Sequence, residues 1–281
     1  MSAAIGTVRV AAPAVLGVAL ALFAAGAARS SARGEPQVAP PARAEPQAAP
    51  SARAEPRSAP PERAGTRWFV SGASRTPVLV YPPRDRGAPH PLVLHLHSYC
   101  WHPVDECPLM QPGAAETHWL LCPRATARCA NGGFSRAGGF SHGAGTAALV
   151  DETLATFAAA FPDDAREPAV LSGFSQGAYA AARLAQTAAP GRFSHLLLIA
   201  ANVTLDPERL RRAGVRSVLL AAGESDGTRA AMAREAKRLE GLGYRAAFRS
   251  LGRIGHDFPP NMSDWVGDAL AWFRAPAERA P

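Results

Sequence analysis

From residue 66 onward the chain alternates short apolar runs with stretches of helical periodicity, and few architectures accommodate that order. "RWFVS" at 67 to 71 and "TPVLVYPP" at 76 to 83 read as a leading antiparallel pair of strands. "PLVLHLHS", "HWLLCP", "PAVLSGFS", "SHLLLIAA", "SVLLAAG" and "RAAFRSL" follow as further strands. Between them lie helical patterns: "TAALVDETLATFAAAF", "GAYAAARLAQTAA", a short "PERLRRA", "TRAAMAREAKRLEGLG" and a closing "SDWVGDALAWFRA". The strand runs are apolar almost throughout, as strands buried on both faces must be. The expected fold is therefore α/β, a mostly parallel sheet with helices on both faces. In such sheets ligands sit beyond the carboxyl ends of the strands.

The first 65 residues do not share this pattern. After Arg9 comes an apolar run, "AAPAVLGVALALFAAGAA", in which Ala25, Gly26 and Ala27 form a small-residue cleavage pattern. Residues 1–28 read as a secretory signal peptide, with an uncleaved membrane tether as the alternative. Residues 29–65 carry a ten-residue repeat, "SARGEPQVAP", "PARAEPQAAP", "SARAEPRSAP", rich in Pro, Ala, Arg and Glu. It has no apolar periodicity with which to bury a core, so a disordered spacer is expected, leaving 66–281 as the catalytic-sized domain. The net charge of +7 is weighted toward this leader: eight Arg and four acids lie in residues 1–67, leaving 22 basic and 19 acidic residues in 68–281. No basic stripe appears there beyond "ERLRRAGVR" at 208 to 216, which reads as a solvated helix end, so nucleic acid is not an expected partner.

Four cysteines, Cys100, Cys107, Cys122 and Cys129, fall in one loop-rich region of a chain expected to be exported. An even count in an oxidising compartment predicts two disulfides. Three connectivities are open, and Cys100 to Cys107 with Cys122 to Cys129 is the most local of them. The CxxC-like spacing of a zinc site is absent, and no cofactor or metal is implied.

Three segments match GxSxG: "GFSHG" around Ser141, "GFSQG" around Ser175 and "GESDG" around Ser225. Only a serine between a strand and a helix can be held on a strained elbow above a sheet. Ser141 follows a Gly-rich loop with no strand before it. Ser225 lies between strand and helix, but one strand alone follows it and no acid stands at a later strand end. Ser175 has three strands downstream on which an acid and a histidine can be presented, which makes it the expected nucleophile. His256, in the loop after the last strand, is the expected base, because a neutral imidazole can take the hydroxyl proton and return it to a leaving group. Asp226, at the end of "LLAAGESD", is the expected acid, with Glu224 second and helix capping as the alternative role for Asp226. Backbone N–H groups of Gln176 and of Tyr99, with Ser98 second, are the expected oxyanion donors.

Taken together, "GFSQG", "GESD" and "GHDFP" resemble the α/β-hydrolase superfamily in order and in placement at strand ends. The small size resembles the single-domain serine esterases of the phospholipase/carboxylesterase and polyhydroxybutyrate-depolymerase or feruloyl-esterase-like groups, over about residues 68 to 274. The resemblance implies an acyl-enzyme mechanism on a small or polymeric ester. The chain departs from it at His97-Ser98, where many members have His-Gly. It also leaves only 16 residues, 201 to 216, where relatives insert a cap, so no cap domain is expected. The open site would then be lined by Trp101, Phe140 and His142, with Tyr99 and Phe134 nearby; the same aromatic residues could instead form a satellite core around the cystines. A peptidase of the same fold and a catalytically silent binding module remain as alternatives.

Overall fold

The structure, a computed structural model, describes residues 67–71, 75–85, 87, 89–135, 144–164 and 169–276. All of them belong to the unit Pro56–Pro281. The expected signal peptide and repeat spacer lie outside the described residues, as do Phe140, Ser141 and His142.

The leading pair forms as its alternation predicts, β1 (Arg67–Ser71) antiparallel to β2 (Thr76–Tyr81). β2 in turn runs antiparallel to β4 (Trp119–Pro123). The remaining pairings are parallel and join β4 to β3 (Leu92–Leu96), β7 (Ala169–Phe174), β8 (Phe193–Ile199), β9 (Ser217–Ala222) and β10 (Arg245–Ser250). The eight-stranded order is β1-β2-β4-β3-β7-β8-β9-β10. A separate two-stranded ribbon pairs β5 (Ala127–Arg128) with β6 (Phe134–Ser135).

Period-two alternation along each central strand divides the core in two. Leu94 and Leu96, Leu196 and Leu198, and Val218 and Leu220 face a layer that includes α2 (Ala144–Ala160), α3 (Gln176–Thr187), α4 (Pro207–Ala213) and α5 (Arg229–Gly241). Val93, Leu197, Ile199 and Leu219 face α1 (Pro103–Ala114) and α6 (Met262–Arg274). Between β8 and β9 the chain makes only α4, so nothing caps the sheet there.

α1 departs from the sequence expectation, which placed loop there. Pro108 and Pro112 stand inside it, each removing a backbone donor, and they mask its periodicity. Two local features start the helix nonetheless: Pro103 at the first turn, and a reciprocal cap in which Val104 N–H donates to His102 Nδ1 and His102 N–H to Asp105 Oδ2. Its last turn packs backbone to backbone on α6, since a Cβ at Gly113 would lie 1.9 Å from Ser263 O.

This helix also selects among the three open cystine connectivities, and the most local one is not the one formed. The disulfides are Cys100–Cys129 and Cys107–Cys122. α1 turns Cys107 inward over the sheet, fully buried, where β4 presents Cys122. Cys100, just before α1, is brought instead to Cys129, beside the turn where Cys129 N–H donates to Gly133 O.

Candidate active site

β7 ends at Phe174 and α3 begins at Gln176, so Ser175 alone makes the turn between strand and helix. Its backbone takes φ 50° and ψ −117°, a conformation that L residues rarely adopt. Such a residue stores on the order of 1–3 kcal/mol, which the surroundings must hold. Ser175 N–H donates to Ile199 O at 2.9 Å, tying the elbow to the neighbouring strand. The flanking glycines make the turn sterically feasible. A Cβ at Gly173 would lie 2.3 Å from Gly177 C, and one at Gly177 would lie 1.7 Å from Leu96 O. The second contact matters most, because it lets the amino end of α3 rest on the end of β3.

His256 follows β10 in an irregular loop, and its ring lies between Ser175 and Asp226. His256 Nδ1 is 2.9 Å from Asp226 Oδ2, and His256 Nε2 is 2.9 Å from Ser175 Oγ. With Nδ1–H donating to the carboxylate, Nε2 is left to accept from the serine hydroxyl. The ring packs against Phe174, centroids 5.1 Å apart, and Phe174 packs on Phe258 at 4.6 Å. The His256 side chain is 48% exposed while that of Asp226 is 2% exposed, so the imidazole meets solvent and the carboxylate does not.

The "GESDG" segment owes its first glycine to this meeting of loops. A Cβ at Gly223 would lie 2.3 Å from Ile254 O. Glu224 N–H donates to Gly252 O and Ser225 N–H to Ile254 O, which zips the acid loop to the histidine loop. Glu224 and Ser225 point to solvent, and Asp226 turns inward. Its second oxygen, Oδ1, accepts from Thr228 N–H at 2.8 Å and from Thr228 Oγ1 at 2.9 Å. Asp226 thus holds the turn before α5 through Thr228, which is itself the N-cap residue, and its other oxygen contacts His256, so one side chain serves both the turn and the histidine. Thr228 escaped the sequence reading, although Asp followed two residues later by a hydroxyl is a recognisable Asx-turn pattern.

Beyond β3 the His97-Ser98-Tyr99 turn is held from below by a buried carboxylate. Glu106, on the inner face of α1, accepts from Ser98 N–H at 2.9 Å, from the Ser98 hydroxyl, and from His95 Nε2 at 3.1 Å. His95 Nδ1 lies 3.1 Å from Ser172 Oγ, so both ring nitrogens of this mid-strand histidine are satisfied within the core. Ala125 N–H donates to His97 Nε2, which leaves Nδ1–H to donate to Ser98 O at 2.8 Å. Ser98 N–H, one of the two expected donors in this turn, is therefore already engaged by the Glu106 carboxylate. Gln176, 1% exposed, stands at the positive amino end of α3, which lies against the same turn through Gly177. Glu106 was invisible to sequence reasoning because the helix that carries it was.

On the rim, Tyr99 is 53% and Trp101 41% exposed. Phe134 is buried, with the Arg124 guanidinium 4.0 Å above its ring and His102 edge-on at 5.5 Å. It lies outside both main core clusters, packed among Arg124, Arg128 and His102, whereas Tyr99 and Trp101 are exposed. Burial lowers the His102 imidazole below its ordinary value, with Asp105 opposing and Arg124 reinforcing the shift.

No protein-family profile and no curated protein matches the chain. Among solved structures it is similar to an S-formylglutathione hydrolase from Agrobacterium tumefaciens, with 19% identity over 74% of this chain and 93% of that one and a TM-score of 0.56. It is similar also to a poly(3-hydroxybutyrate) depolymerase from Bordetella parapertussis, with 19% identity, 76% and 93% coverage and a TM-score of 0.52. An acylaminoacyl peptidase from Pyrococcus horikoshii shares 12% identity over 77% of this chain but only 42% of its own length, with a TM-score of 0.56. What these likenesses establish is a common architecture.

Proposed function

We propose, with the α/β-hydrolase fold as premise, that this chain is an exported serine esterase. The observation that carries the proposal is the continuous pair of hydrogen bonds from Asp226 through His256 to a serine on a strained strand-to-helix elbow. In this reading Ser175 Oγ attacks the ester carbonyl as His256 Nε2 takes its proton. The carbonyl oxygen becomes an oxyanion, which the N–H groups of Gln176 and Tyr99 stabilise; losing one such donor costs about 2.7–4 kcal/mol where it has been measured. The tetrahedral adduct collapses as the imidazolium returns the proton to the departing alcohol, leaving an acyl-Ser175 ester. Water, deprotonated by His256, then attacks that ester, and the acid leaves as Ser175 regains its proton.

The absence of an insertion between β8 and β9 and the exposed Tyr99 and Trp101 favour short-chain or aryl esters, or the surface of a polymeric ester, over a substrate enclosed by a lid. The small-residue cleavage pattern after the leading apolar run and the two disulfides favour export. Among the described residues no helix is long and apolar enough to cross a membrane. The test is hydrolysis of 4-nitrophenyl acetate by the full, oxidised chain beside Ser175→Ala, Ser141→Ala and Ser225→Ala. Activity abolished by the first substitution alone is the expected result. Cleavage of an acylaminoacyl anilide in preference to the ester would replace the esterase reading with a peptidase of the same fold. A folded wild type inert to both would leave a binding module.

A further inference from the structure

A cavity of about 860 Å³ opens at the opposite edge of the sheet, where the strands begin. Pro91 immediately precedes β3, His118 precedes β4, Arg216 precedes β9, and Arg245 opens β10. Ser175, Asp226 and His256 all follow carboxyl ends of strands, so roughly 17–20 Å, the length of a typical strand, separates the two regions. The volume falls in the range of small-molecule sites.

The chemistry of the wall is one-sided. Arg216, Arg245, Arg274, His90, His118 and His195 all line it, and among the described residues no Asp or Glu does. Elsewhere in this molecule arginines meet carboxylates, as in the Arg192–Asp151, Arg84–Glu116 and Arg211–Glu208 pairs. Here Arg216 Nη2 stands 3.4 Å from His195 Nε2, and Arg245 donates to the carbonyls of Trp272 and Ala275, both at 2.6 Å. Neutral carbonyls orient Arg245 without cancelling its charge. The buried imidazoles of the wall stay neutral, chiefly because they are buried. His118 is pushed down to about 3 and His195 to about 4, first by burial and then by neighbouring positive groups: Arg274, His195 and His90 for the former, Arg216 and Arg245 for the latter. His90 Nε2 is buried in the same wall with no hydrogen-bond partner, while His90 Nδ1 lies 3.3 Å from Thr117 O. A set of cations without a counter-charge is costly to hold in a cavity wall, and an anion would relieve that cost. Phe273 and Val170 add apolar wall beside these groups.

We propose that this pocket is a binding site for an organic anion, its oxyanion head held by Arg216, Arg245 and Arg274 and its apolar body lying against Phe273 and Val170. Guanidinium groups suit that head because their planar fork matches a phosphate or carboxylate. The site is independent of the reaction at Ser175, and its test does not depend on that reaction.

The experiment is calorimetric titration of the full chain at pH 8 with phenyl phosphate, with benzyl alcohol as the neutral counterpart and inorganic phosphate as competitor. Wild type is compared with Arg216→Gln, Arg274→Gln and, as a control outside the cavity, Arg212→Gln, each checked for an unchanged melting temperature without ligand. The expected result is one saturable site for phenyl phosphate, competed by phosphate, closed to benzyl alcohol, weakened about tenfold or more by either cavity substitution and unaffected by Arg212→Gln. Tenfold corresponds to about 1.4 kcal/mol, within the range for a hydrogen bond to a charged group. No saturable binding, binding indifferent to both cavity substitutions, or equal weakening by Arg212→Gln would each overturn the proposal, the last by reducing it to diffuse charge attraction.

Discussion

At the residue scale the site depends on a few atoms with no room to move. Gly177 is the sharpest case, since any side chain there would meet Leu96 O at 1.7 Å. Gly177→Ala must push α3 away from β3, and with it the Gln176 N–H from the His97-Ser98-Tyr99 turn. We expect a loss of about 1–3 kcal/mol in urea unfolding, the usual cost of overpacking, together with a fall in kcat. Glu106 is the second case. It is fully buried and accepts from three donors on two residues. Glu106→Gln keeps the shape but turns one acceptor into a donor, so either Ser98 N–H or His95 Nε2 is left facing an NH₂ group. The expected outcome is a loss of about 1–3 kcal/mol in stability and, if the turn supplies the proposed oxyanion donor, a lower kcat with KM nearly unchanged, because the rim is left intact. A parallel fall in expression and in KM, with kcat intact, would make Glu106 a purely structural residue.

At the scale of elements, α1 shows how tertiary contacts override local propensity. Two internal prolines weaken it, and a disulfide to β4 and the backbone contact at Gly113 hold it in place. Peptide mapping without reduction should recover Cys107 joined to Cys122 and Cys100 joined to Cys129, and no fragment joining Cys100 to Cys107. In the chain-entropy view, bridges with sequence separations of 15 and 29 residues stabilise by about 3–4 kcal/mol each. The Cys107→Ala, Cys122→Ala pair should therefore lower the melting temperature markedly. It should also reduce the proposed esterase activity more than the Cys100→Ala, Cys129→Ala pair, because α1 carries Glu106 beneath the Ser98 turn. Equal losses from the two pairs would show that α1 keeps its place without its bridge.

For the whole molecule, the two edges of the sheet have opposite characters. The carboxyl edge holds Ser175, His256 and Asp226, and the amino edge holds a cationic cavity with buried imidazoles. His118 and His195 are kept neutral in the fold down to about 3 and about 4. In the unfolded chain they take up protons near pH 6.5. Below that point the unfolded state binds protons that the fold refuses, so their contribution is fully present above pH 6.5 and is lost progressively as pH falls toward 4. Urea midpoints should decline over that interval, and His118→Asn, once its own cost at pH 7.5 is subtracted, should flatten the decline. An unchanged slope would mean that carboxylates alone govern acid unfolding.

What the amino-acid sequence determined by itself was the order of the elements and the layered α/β architecture, because apolar periodicity is a property of residues adjacent in the chain. The chain order of strand ends singled out Ser175, Asp226 and His256, and the His256 ring stands within hydrogen-bond reach of both of the others. What only the tertiary structure decided were the meetings between distant segments. These include the cystine partners, the helix that survives its own prolines, the carboxylate of Glu106 under the Ser98 turn, and the arginines gathered at the amino edge from β10, α6 and the turn before β9. A side chain's neighbours across the fold are set by packing and register, and these depend on residues too far along the chain for any local pattern to encode.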